Sequence, residues 1–110
     1  GSNKISNLVV FVDCNNMQAS DFTNNIIKTG PLLRAIKSLG WVVERVDGHS
    51  VKEIKSVVKD AIGCMKPCMI VLNTIKGKGV PFMEGDVCWH HRPLSNEEYA
   101  IAKGNFSYEG

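Results

Sequence analysis

Two glycines alternate with two lysines in Thr74-Ile75-Lys76-Gly77-Lys78-Gly79-Val80, and Trp89-His90-His91-Arg92-Pro93 follows in the same stretch. Glycine lets backbone approach a ligand closely, and lysine is a strong donor to phosphate. Histidine adds groups that move protons near neutral pH. The combination points to a phosphorylated ligand handled by acid–base chemistry, although a solvated Gly/Lys turn has the same composition. Lys76 would hold a phosphate or polarise a carbonyl, its alternative being an exposed loop lysine. Trp89 offers His90 an aromatic wall that would exclude water and tune the imidazole. His91 and Arg92 are candidates for contact with a partner or an anionic substrate.

A second cluster lies near the amino terminus. Asp13 and Asn15 offer oxygens two residues apart at the end of an apolar run. A side-chain amide oxygen with a nearby backbone carbonyl suits a hard cation such as magnesium, which shares its remaining positions with water and a substrate phosphate. The same residues also read as an Asx turn that finishes a strand. Asp47-Gly48-His49 reads first as a turn, with His49 a structural hydrogen-bonding residue.

These clusters need elements to hold them. Leu8-Val9-Val10-Phe11-Val12 is apolar throughout and β-branched, as a central parallel strand buried on both faces would be. Residues 18 to 30 read as loop. Pro31 fits the first position of a helix whose apolar face is Leu32, Leu33, Ala35, Ile36 and Leu39, capped by Gly40. Trp41 to Val46 predicts a second strand. Ser50 and Glu53 predict a capping box, opening a helix with Val51, Ile54, Val57, Val58, Ala61 and Ile62 on its buried stripe. Cys68 to Leu72 predicts a third strand, and Ser95 with Glu98 a second capping box on a short helix to about Lys103, stopped by Gly104. The alternation of strand and helix implies an α/β fold with a parallel sheet, and its ligand site belongs beyond the carboxyl ends of the strands. All three clusters fall there. Three strands leave outer edges unpaired, and the loop from Ile75 to Leu94 is too long to be idle. Both features predict a piece of a larger domain, or one chain that docks on another.

Composition sets the bounds. The chain has 110 residues, room for one small domain, with 44% apolar and 22% charged residues as in ordinary globular proteins. Thirteen basic against eleven acidic residues leave a net charge of +2, too balanced to argue for nucleic acid or an anionic membrane. No run approaches the length of a membrane span, no secretory pattern is present, and Gly1-Ser2 reads as a tag remnant. Cys14, Cys64, Cys68 and Cys88 do not have zinc-knuckle spacing; reduced, mostly buried thiols in a cytoplasmic protein are expected.

Several motifs together resemble the transketolase family. Val12-Asp13-Cys14-Asn15-Asn16-Met17-Gln18 resembles the closing half of its thiamine diphosphate-binding motif. Gly40-Trp41 leading to Val46-Asp47-Gly48-His49-Ser50 resembles the next strand and turn. Thr74 to Glu84, with Trp89-His90 and Pro93, is similar to the cofactor-closing loop. The match runs in order over nearly the whole chain and is nearest to the N-terminal subunit of split transketolases. It implies a partial three-layer thiamine diphosphate-binding fold, with about three parallel strands and flanking helices. Residues 7–104 would form the C-terminal half of that domain, 1–6 a lead-in and 105–110 a tail.

The resemblance implies roles. Asn15 would coordinate magnesium through its side chain and lie beside the cofactor diphosphate, and Met17 would bind the same ion through its carbonyl. Asp13 would organise the turn. Lys76 would approach the cofactor, and His90 would sit at the diphosphate and the bound sugar, where it would assist proton transfer. The implied reaction moves a two-carbon ketol unit between sugars, commonly phosphates, with thiamine diphosphate and magnesium as cofactors. The family's Gly-Asp-Gly segment should precede Leu8 and does not, and the activating glutamate belongs to a pyrimidine domain. The expectation is therefore a chain inactive alone, completed in an oligomer by the remaining half-domain and a pyrimidine-domain chain. His91 stands where many transketolases have glycine. A non-catalytic interaction module, or part of another thiamine diphosphate enzyme such as a deoxyxylulose phosphate synthase or an oxo-acid dehydrogenase component, are the alternatives.

Overall fold

The computed structural model describes residues 5–15 and 29–106. Within them the order is β1 (Val9–Cys14), α1 (Thr29–Ser38), β2 (Val42–Asp47), α2 (Val51–Gly63), β3 (Cys68–Asn73), a 3-10 turn (Val87–His90) and α3 (Asn96–Gly104). The alternation read from the sequence is thus observed. The three strands form one parallel sheet in the order β1-β3-β2. Val9 and Val42 both align with Cys68, and Cys14 and Asp47 both align with Asn73, so all three strands end level.

Being paired on both sides, β3 is the most buried strand: Ile70 and Val71 are each 1% exposed. Its alternate residues serve two faces. Cys68 and Ile70 pack with Ala61, Val57 and Val58 of α2. Met69 and Val71 face Leu33 and Ile36 of α1, with Val12 and Cys14. Helices on both faces make three layers.

Several expectations are corrected. β1 lies at an edge among the described residues, because only β3 pairs with it there, and Phe11 is 49% exposed. Thr29 and Gly30 are helical, which puts Pro31 inside the first described turn, where amide donors have no partner within the helix and a missing N–H costs little. The rest of the expected loop over 18–28 lies outside the described residues. Leu33 and Ile36 face the sheet, whereas Leu32, Ala35 and Leu39 flank that stripe and stay exposed. Gly40 takes the left-handed conformation after α1 as expected, with φ of 88°. On α2, Ala61 is buried, but Val51 and Ile62 point to solvent.

The two predicted capping boxes differ. At α3 the box is complete: Ser95 Oγ accepts the Glu98 N–H and Glu98 accepts the Ser95 N–H. At α2 only half of it forms. Ser50 Oγ accepts the Glu53 N–H, but the Glu53 carboxylate accepts the Asp47 N–H at 3.0 Å, because the Ser50 N–H is already given to Asp47 O. That diversion ties the start of α2 to the end of β2. Gly104 is the last helical residue, and Asn105 caps it.

Candidate functional site

Level strand ends bring the predicted clusters to one edge. The Thr74 hydroxyl donates to Asp13 Oδ1, and the Thr74 N–H donates to Cys14 O, so β3 leaves the sheet fastened to the end of β1. Asn15 follows directly and is half-buried. On the other side, the Gly48 N–H donates to Asn73 O at 2.8 Å. A Cβ at Gly48 would meet Thr74 Cγ2 at 2.4 Å, so only glycine lets the two chain segments cross this closely. The Ile75 N–H donates to His49 Nε2 at 2.8 Å, while the His49 N–H donates to Asp47 Oδ1 at 2.8 Å. His49 is therefore a structural acceptor, as read, and holds the exit of β3 to the turn after β2.

The loop beyond is folded back on itself. The Gly85 N–H donates to Lys76 O at 3.0 Å. Gly77 and Gly79 have φ of 74° and 95°. A Cβ on Gly77 would meet Met83 O at 2.5 Å. Val80 is buried at the centre of the loop. The two lysines have different jobs. Lys78 Nζ lies 3.7 Å from Glu84, whose carboxylate also accepts the Gly79 N–H at 3.0 Å. That N–H, chiefly, holds the Glu84 carboxyl below its ordinary range. Among the described residues Lys76 has no ion-pair partner, and it is half-buried. Such a lysine, on glycine-rich backbone just past the end of β3, has the chemistry to take an anion.

The aromatic end is built differently from expectation. Trp89 Nε1–H donates to Phe82 O at 3.0 Å and its ring packs on Phe82 at 5.4 Å. The Arg92 guanidinium lies 4.2 Å over the indole and pairs with Glu98 at 2.6 Å. The indole is thus committed to Phe82 and Arg92, and His90 is exposed, its ring meeting His91 edge-on at 4.5 Å. Trp89 does not wall off His90. Arg92, read as a candidate for a partner or substrate, serves as a staple between the loop and α3. Asp86 starts the 3-10 turn by accepting the Cys88 N–H at 2.8 Å.

Asp13, Asn15, His49 and Lys76 are therefore gathered at one edge, and His90 is reached through the same loop by way of Trp89 and Phe82. Met17 lies outside the described residues. Sequence reasoning missed Thr74 as the clasp on Asp13 and Glu84 as the partner of Lys78. A hydroxyl one residue past a strand end, and a carboxylate six residues past Lys78, were the available signals. No group of three or more metal-binding side chains occurs among the described residues. No helix among the described residues is long and apolar enough to cross a membrane.

Comparison with known proteins places the sequence and fold in a family. The family described as "Transketolase, thiamine diphosphate binding domain" matches residues 1–110. The 6-deoxy-6-sulfo-D-fructose transketolase subunit SqwG of Clostridium sp. (strain MSTE9) is 39% identical, over 100% of this chain and 40% of that protein. An apulose-4-phosphate transketolase subunit of Actinobacillus succinogenes is 30% identical, over 90% of this chain and 36% of that protein. The crystal structure of transketolase from Campylobacter jejuni superposes with a TM-score of 0.82 at 28% identity, over 92% of this chain and 16% of that one. The chain thus spans two fifths or less of the length of each. With that extent of match in sequence and fold, the chain belongs to the transketolase family, within its thiamine diphosphate-binding domain.

Proposed function

We propose that residues 7–104 are the second half of a thiamine diphosphate-binding domain in a transketolase-type enzyme that transfers a two-carbon ketol unit between sugars. The chain is inactive alone and is completed by the remaining half-domain and a pyrimidine-domain chain. The observation that carries this reading is the clasped edge: Thr74 on Asp13 and Ile75 on His49 bring the segments that carry Asn15 and Lys76 to the same end of the sheet. The donor set fits a magnesium diphosphate. An amide oxygen suits the hard cation, and an ammonium outside any ion pair of the described residues suits the anion.

When bound, thiamine diphosphate supplies the electron sink needed to break a ketose carbon–carbon bond. The chain supplies position. Asn15 would hold the magnesium through its side chain, and Met17, which lies outside the described residues, would add its carbonyl. Lys76 offsets diphosphate charge, and its place is set by the Gly85 bond to its own carbonyl. His90, through a ring nitrogen, accepts or returns a proton at a sugar hydroxyl, and its exposure supports access by substrate. Two relatives are named for 6-deoxy-6-sulfo-D-fructose and apulose 4-phosphate, sugars that each carry a strong anion on the chain. Their names support a ketose phosphate or sulfonate as the substrate class. A cytoplasmic location is part of the same proposal.

Exposed apolar side chains support the need for partners. Phe11 on the sheet, Leu32 and Leu39 on α1, and Tyr99 and Ile101 on α3 are all more than a third exposed. The test is ketol transfer by the assembled enzyme carrying Asn15→Ala or His90→Ala. The first change should raise the magnesium and cofactor needed for half-maximal activity, and the second should lower turnover. Unchanged activity in both would favour a non-catalytic module.

A further inference from the structure

Cys64 and Cys68 stand at the opposite end of the sheet from the clasped edge, where α2 gives way to β3. Their sulfurs are 2.8 Å apart. That is about 0.75 Å longer than a disulfide bond of about 2.05 Å, so bond formation requires little movement. The turn between them is held in an unusual shape. Met65 is 72% exposed and has a φ of 52°, a conformation that costs an ordinary residue about 1–2 kcal/mol. The flanks hold it there. The Cys64 N–H donates to Ala61 O at the end of α2, the Cys68 N–H donates to Leu8 O at 2.9 Å, and the sulfurs lie 3.4 and 3.3 Å from Lys66 O.

The two sulfurs differ. Cys68 is 2% exposed and belongs to the core. Cys64 is half-buried and lines a cleft of about 330 Å³ between α2 and β2, together with Glu44, Asp60 and Ala61. A small oxidant can enter such a space.

We propose that Cys64 and Cys68 form a redox-active dithiol, in which Cys64 attacks a hydroperoxide entering through the α2–β2 cleft and Cys68 resolves the product to an intramolecular disulfide. The Cys64 thiolate attacks one peroxide oxygen, the O–O bond breaks, and hydroxide leaves as water after taking a proton. Cys64 is then a sulfenic acid. Cys68 Sγ attacks Cys64 Sγ, the S–O bond breaks, and the departing hydroxide takes the Cys68 proton as a second water. Two thiols and one hydrogen peroxide give one disulfide and two waters, with two electrons passing from sulfur to oxygen.

The electrostatics favour this division of roles. The Cys68 thiol chiefly, then Lys66, holds the Cys64 thiol below its ordinary range. Burial, then the bond to Cys64, pushes Cys68 up to about 11, with Glu44 adding to the rise. Cys88, although exposed, is raised by Asp86, so exposure alone does not make it the more reactive thiol.

The experiment exposes the full chain to hydrogen peroxide and follows intact mass and peptide cross-links. The expected result is loss of two hydrogens, a Cys64–Cys68 cross-link reversed by dithiothreitol, and reaction at Cys64 about tenfold or more faster than at Cys88. Dimedone should trap Cys64 in Cys68→Ser, and the mass change should vanish in Cys64→Ser. Phenylarsine oxide, which bridges two near thiols, should protect both cysteines from iodoacetamide. The wild-type measurements do not depend on either variant folding. Reaction at Cys88 or Cys14 first, a mixture of intermolecular disulfides, or cross-linking at the same rate in guanidinium would overturn the proposal.

Discussion

Gly77→Ala should open the loop that positions Lys76, by an amount the geometry sets. Gly77 has φ of 74°, which an alanine adopts at a cost of about 1–2 kcal/mol. The added Cβ would also lie 2.5 Å from Met83 O and 2.7 Å from Met83 C, and these are backbone atoms with no rotamer to yield. Forced overlap of this kind typically adds about 1–3 kcal/mol. A total near 3 kcal/mol lowers the population of the closed loop about 150-fold. Gly79→Ala is the built-in comparison. Its φ of 95° brings similar strain, but its nearest neighbour is the Phe106 ring at 3.2 Å, which can swing away. Only the strain, about 1–2 kcal/mol, should remain there. Amide exchange at Gly85, whose N–H closes the loop on Lys76 O, reports the opening directly. Protection at Gly85 should fall far more in Gly77→Ala than in Gly79→Ala. Equal protection in wild type and Gly77→Ala, or a larger loss in Gly79→Ala, would show that contact with Met83 does not hold the loop.

Other outcomes follow from the same contacts. Lys76→Met should weaken thiamine diphosphate binding by the assembled enzyme, about tenfold or more for loss of a charged hydrogen bond to phosphate, whereas Lys78→Met should act mainly on the loop through Glu84; calorimetric titration of both variants separates these roles. His49→Phe removes the acceptor of the Ile75 N–H and should cost about 1 kcal/mol in urea denaturation, with the largest exchange change at Ile75. Glu98 is held below its ordinary value of 4.5, first by the Ser95 N–H and then by Arg92. A carboxyl lowered by folding contributes fully above about 4.5 and loses that contribution as pH falls through its lower folded value. Amide exchange should therefore show α3 loosening only below about pH 4.5, and a flat profile down to about pH 3 would contradict the cap.

Much of the fold was legible because its signals are local. Apolar runs marked β1, β2 and β3 to within about two residues, and Ser95 with Glu98 marked α3 through a cap that needs four consecutive residues. What local pattern cannot report is neighbourhood. Leu8 to Val12 reads the same in a central or an edge strand, and only what pairs with the side of β1 away from β3 decides which. Glu53 stands at capping-box spacing, yet its carboxylate chose the Asp47 N–H, because Ser50 N–H was already spent on a turn bond. The site shows the same divide. Gly77 and Gly79 were readable from residue type, whereas the split between Lys78, paired, and Lys76, outside any ion pair of the described residues, depends on where Glu84 folds back. Trp89 sits beside His90 in sequence, but its ring is claimed by Phe82 and Arg92.

Manganese in place of magnesium offers the sharpest measurement, because a paramagnetic ion bleaches the amide signals of whatever surrounds it. The assembled enzyme would carry this chain isotope-labelled, with thiamine diphosphate added. Signals from Asn15, from Thr74 to Lys76 and from His90 should fade together, while those of Met65 to Cys68, at the far end of the sheet, keep their intensity. Fading at Asn15 without Lys76 and His90, or fading at Met65 to Cys68, would mean that these groups do not surround one cation-bound diphosphate.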